Sequence, residues 1–167
     1  MQADAAELIA LLGDGSYRDT YGILEKVLTY SQDKIITRDE VEKVTGSPTA
    51  SLILDFVQGI ASKDSTQSLR ALREAQEKNI DVRIFTKLAI TALRHIFMLR
   101  IDPASAEKIK QNLGTSEYAL YEKIAKDAKA NISSKTLETL LESYQRIDSA
   151  SFVPSLPLEL AVAELTK

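Results

Sequence analysis

Apolar side chains recur at three- and four-residue steps along almost the whole chain, and almost no window alternates with period two. That pattern gives helices with one apolar stripe each, so the expected fold class is all-α. A chain of 167 residues can bury roughly 70% of its surface on folding, enough for a core. Apolar residues make up 44% and charged residues 27%, which excludes a wholly disordered chain or a collagen-like repeat. Helix lengths and loop contents differ too much for a solenoid.

Glycine and proline divide the pattern. Ala5, Leu8, Ile9 and Leu12 share a face that ends at Gly13-Asp14-Gly15. After Ser16 a second helix runs to about Tyr30, with Tyr17, Tyr21, Leu24 and Leu28 on one stripe and Ile23 and Val27 beside it. Tyr17, Tyr21 and Tyr30 are expected to pack inward. Thr37 and Glu40 form a capping-box signature, and Gly46 stops the helix they start. Residues 1–46 therefore read as a three-helix unit. Ser47-Pro48 looks like a cap followed by the residue favoured at the first helical position, which places the domain boundary there.

In the second unit, residues 47–167, Leu52, Ile53, Phe56, Val57 and Ile60 mark one helix and Leu69, Leu72 and Ala75 the next. Phe85, Leu88, Ala92, Ile96 and Leu99 mark a long one expected to be central. Asp102-Pro103 opens a short polar helix that ends at Gly114. Tyr121, Ile124, Ala125 and Ala128 mark a further helix, and Leu137, Leu140, Leu141, Tyr144 and Ile147 another. The prolines in FVPSLP prevent helix throughout, and Leu158, Ala161, Val162 and Leu165 form the inward side of the last element.

Several chemistries are excluded. There is no cysteine, and His95 is the single histidine, so neither a thiolate site nor a multi-histidine metal site is available. No stretch resembles a nucleophile elbow, an HExxH or a Walker loop, so no catalytic residue is assigned. A net charge of -3 suits a nucleic-acid grip poorly. Charged residues interrupt every apolar run, so no membrane contact is expected and the chain is placed in the cytoplasm. Arg83, Lys87 and Arg94, with Arg100 near the helix end, read as a solvated basic face, with a lining near DNA as the functional alternative. His95 reads as a packed or surface histidine.

The segment Gly13-Asp14-Gly15-Ser16-Tyr17-Arg18-Asp19 stands out. Ser16 and Asp19 make a capping pair, while Arg18 sits in a first helical turn, where the dipole favours anions. A guanidinium beside free helix N–H groups suits phosphate. IALLGDGSYRDTYGILEKVL, followed by ITRDEVEKVTG, resembles the lid of the bacterial DNA polymerase III gamma/tau subunit, the AAA+ ATPase of the replicative clamp loader. That family writes the lid as IA..A.GS.RDAL.LLDQ.I and then IT.EDV...LG. Residues 47–167 are similar in helix order and length to its third domain, the collar, including the closing PLELAVAEL. The likeness covers essentially the whole chain. GSxRD with the following T-x-x-[DE]-V is its specific part.

The resemblance implies an AAA+ lid over 1–46 and an oligomerising collar over 47–167. Arg18 matches the sensor 2 arginine, which reaches the γ-phosphate of ATP held by the preceding ATPase domain, with Gly15, Ser16 and Asp19 as the rest of the motif. ATP and Mg²⁺ are implied for the full-length protein and no cofactor for this stretch. The family's phosphate loop, acidic Mg²⁺ site and zinc module all lie upstream of the lid, and positioning supplies most of the catalysis in phosphoryl transfer. The chain is therefore expected to have no ATPase activity alone. Implied partners are other gamma/tau copies, delta and delta prime through the collar, and the sliding clamp and primed DNA through the full assembly. Thr20, Tyr21 and Gly22 depart from the family, so lid packing is expected to differ. The alternative is a stand-alone helical scaffold that binds proteins and touches no nucleotide.

Overall fold

The structure, a computed structural model, describes residues 1–31, 35–147 and 152–167, and of Ser116 the backbone alone. Every regular element among them is helical: α1 (Ala3–Leu12), α2 (Tyr17–Tyr30), α3 (Arg38–Thr45), α4 (Ala50–Ser62), α5 (Ser65–Glu77), α6 (Val82–Ile101), a 3₁₀ turn (Pro103–Ser105), α7 (Ala106–Asn112), α8 (Thr115–Lys126), α9 (Ser134–Arg146) and α10 (Leu156–Leu165). Helices α1, α2 and α3 pack on one another. The long helix α6 touches α4, α8 and α9 and so forms the centre of the rest.

Caps explain most starts. Thr37 and Glu40 complete the capping box of α3, and Gly46 ends it in the left-handed conformation. Asp81 accepts from the Ile84 N–H to open α6, and Asp102 accepts from the Ala104 N–H to open the 3₁₀ turn. Helix α4 corrects the sequence reading. Its cap is Thr49, which accepts from the Leu52 N–H, so the helix begins after Pro48 rather than at it. Ser47 instead accepts a hydrogen bond from Thr45 and stays buried in the connection.

The core runs unbroken from α1 to α10. Phe56 of α4 meets Phe85 of α6 edge to face, with ring centroids 5.2 Å apart. Helices α4 and α5 form a hairpin whose contact needs Gly59: a Cβ there would lie 2.3 Å from Ser68 Oγ and 2.7 Å from its backbone nitrogen. Ser68 uses that closeness to donate to the Phe56 carbonyl. Leu158, Ala161, Val162 and Leu165 point inward as expected.

Five inward assignments fail, and one helix ends earlier than expected. Tyr17 is 84% exposed and Tyr21 68%, and Leu28 and Tyr30 are also mostly exposed. Helix α2 packs mainly on α1 and α3, so a strip of Thr20, Ile23, Leu24 and Val27 suffices, and the tyrosines fall on the other side. Leu141 is exposed because α9 turns Leu140 and Ser143 toward the core instead. Ala128 lies beyond the end of α8, in the turn before α9.

Candidate functional site

The loop after α1 is held by three local devices. The Ser16 N–H donates to the Gly13 carbonyl at 2.8 Å, and Asp14 and Gly15 both take positive φ, +50° and +79°. Thr20 Oγ1 donates back to the Ser16 carbonyl at 2.8 Å. Gly13 is indispensable to this fit, since a Cβ on it would lie 2.0 Å from that same Thr20 oxygen. Ser16 Oγ then accepts from the Asp19 N–H at 3.2 Å, which caps α2.

Arg18 projects from the first turn so formed. It is exposed and makes no hydrogen bond or ion pair with any described residue. Tyr17 and Tyr21 flank it on the outer face of α2. The structure thus brings Gly15, Ser16, Arg18 and Asp19 together at one helix start, with the guanidinium directed to solvent.

The basic face of α6 is not a free lining. Arg83 stacks on the Tyr144 ring, 4.4 Å from its centroid. Lys87 Nζ donates to the Leu11 carbonyl at 2.6 Å and pairs with the Asp14 carboxylate. That hydrogen bond, with the Lys87 charge, holds the Asp14 carboxyl below the usual range. Arg100 donates to the carbonyls of Ala125, Asp127, Ala130 and Ile132 in the turn between α8 and α9. Arg94 is the exposed member.

A second cluster lies where α1, α3, α6 and α8 meet. Arg38 donates to Glu42 at 2.9 Å and to Glu117 at 3.2 Å, and Tyr121 donates to the other Glu117 oxygen at 2.7 Å. Glu42 also accepts from the Ala50 N–H, which ties α3 to the start of α4. Glu7 Oε2 is buried without a partner among the described residues, and its other oxygen lies 3.7 Å from His95 Nε2. Burial first, and Glu117 second, push the Glu7 carboxyl up. Burial pushes His95 down, with Arg94 adding to it. Burial and Glu117 push the Tyr121 phenol well above its ordinary value. Three carboxylates around one guanidinium make a structural joint.

Elsewhere, α9 and α10 frame a groove of about 260 Å³ lined by Thr139, Leu156, Pro157 and Leu160, and Phe152 and Val153 before it are exposed. Among the described residues no group of three or more histidine, aspartate or glutamate side chains is disposed to hold a metal ion, and no helix is long and apolar enough to cross a membrane. No protein-family model and no curated protein matches the chain.

Sequence reasoning missed the joint and the Lys87 contact. The local signals were the four-residue steps from Arg38 to Glu42 and from Glu117 to Tyr121; Glu117 lies 79 positions from Arg38 and Lys87 lies 73 from Asp14.

Proposed function

We propose that this chain is the lid and collar of a clamp-loader ATPase subunit of the bacterial DNA polymerase III gamma/tau kind, with residues 1–46 as lid and 47–167 as collar. The observation that carries the reading is the state of Arg18. It stands in a first turn capped by Ser16, inside the GSxRD segment, with its guanidinium unengaged among the described residues; Arg70, Arg73 and Arg94 are exposed too, but none of them stands at such a turn. An arginine left in this state suits a partner from outside the segment, and the γ-phosphate of ATP matches its planar donor fork.

In this reading ATP and Mg²⁺ belong to an ATPase domain elsewhere in the protein, and the chain contributes Arg18. The guanidinium pairs with γ-phosphate charge before hydrolysis and loses that partner afterwards, so lid orientation reports the nucleotide state. The collar meets other gamma/tau copies, delta and delta prime in a cytoplasmic assembly that places the sliding clamp on primed DNA. An antibody against this chain, applied to a lysate of the source organism, is expected to detect a product far heavier than 18.5 kDa. In that product Arg18→Ala should lower ATP turnover by at least about tenfold. A band at 18.5 kDa, or unchanged turnover, overturns the reading.

The exposed Phe152, Leu156 and Leu160 beside the α9–α10 groove favour a protein contact there, which also suits the stand-alone scaffold. The scaffold differs in making Arg18→Ala silent.

A further inference from the structure

Lys87 belongs to the central helix, yet its ammonium reaches out of that helix to the loop that carries Arg18. It satisfies the Leu11 carbonyl in the last turn of α1 and the Asp14 carboxylate within the loop. The Lys87 side chain is 26% exposed and that of Asp14 is 74% exposed. A pair so open to water contributes little to global stability. Its consequence is geometric. Asp14 and Gly15 take left-handed conformations, Gly13 has no space for a side chain against Thr20, and Thr20 binds back to Ser16. From Gly13 to Thr20 the segment is therefore bonded to itself, and Lys87 joins it to α6.

We propose that Lys87 is the positioning residue for Arg18: it fixes the 13–20 segment to α6, so that a pull on the Arg18 guanidinium moves the central helix instead of bending the loop. The proposal rests on the nucleotide reading of Arg18 and adds a route by which phosphate contact reaches the residues after 46, beside the Arg38–Glu117 joint. Arg83 stands one turn before Lys87 and adds positive charge near Asp14. It also stacks on Tyr144 of α9.

Two measurements on Lys87→Met test this. Amide exchange on the chain itself should speed up at the hydrogen-bonded amides of Asp14, Ser16 and Asp19 and stay unchanged in α9 and α10, with Lys87→Arg restoring part of the protection. In the longer ATPase-bearing product, Lys87→Met should lower kcat between about tenfold and a hundredfold with KM for ATP little changed. Adding it to Arg18→Ala should lower kcat no further, because both act through one group. Unchanged exchange at Asp14, Ser16 and Asp19 overturns the contact. Faster exchange with normal turnover, in a protein where Arg18→Ala is slow, overturns the positioning role and leaves the nucleotide reading standing. A silent Arg18→Ala, or a natural product of 18.5 kDa, removes that reading and the proposal with it.

Discussion

Arg38 of α3 and Glu117 of α8 meet at 3.2 Å with their side chains only 15% and 13% exposed, and they join the first three helices to the rest of the molecule. The same guanidinium holds Glu42. Removing it leaves Glu42 and Glu117 buried without their counter-charge, with Glu7 close by. Arg38→Met should therefore destabilise the fold by about 3–5 kcal/mol in urea titration. The double variant Arg38→Met/Glu117→Gln should lose less than the sum of the single losses.

The joint also sets a dependence on pH. Glu7 and Glu42 are both raised above 4.5, chiefly by burial. A raised carboxyl contributes stability that is full below its unfolded value and is lost as pH rises through the folded one. His95 is lowered from 6.5, so its contribution is present above that value and is lost as pH falls through the lowered one. The imidazole and Glu7 are 3.7 Å apart, too far for a strong hydrogen bond to offset burial. Glu7→Gln should stabilise the chain at pH 7 to 8 and lose that advantage toward pH 4. His95→Leu should flatten the decline on the acid side. Denaturation midpoints across this range check both.

On α2 the outer tyrosines and the inner valine should behave oppositely. Tyr17→Ser and Tyr21→Ser should each change stability by no more than about 0.5 kcal/mol, since both rings face solvent. Val27→Ala should cost about 2 kcal/mol, because Val27 is fully buried. A costly Tyr21→Ser in thermal unfolding would restore the inward stripe.

Gly59→Ala should destabilise the α4–α5 hairpin by about 1–3 kcal/mol, because the new methyl meets the Ser68 backbone and the Asp64 carbonyl as well as a movable hydroxyl. Ser68→Ala should not rescue it. Full rescue would place the clash on the side chain alone.

Helix existence was legible because stripes such as Phe85, Leu88, Ala92 and Ile96 are buried as their spacing demands, and Thr37 and Asp81 cap as their side chains allow. Which side of α2 faces inward was not legible. Its tyrosines carry large apolar rings that burial also suits, and the number of neighbouring helices decides which strip turns inward. The capped turn at Ser16 could be read from local sequence, with Arg18 in it. Lys87, Glu7 and the Arg38–Glu117 pair could not, because each meets a group far away in the sequence, and charge at helical spacing looks the same whether it meets water or a distant partner.

Arg100 spreads one planar cation over the carbonyls of Ala125, Asp127, Ala130 and Ile132. These oxygens belong to backbone, so almost any side chain at those positions presents the same acceptors. The backbone path between α8 and α9 is thus written in another helix, by a single letter that cannot become lysine, whose point charge lacks the span.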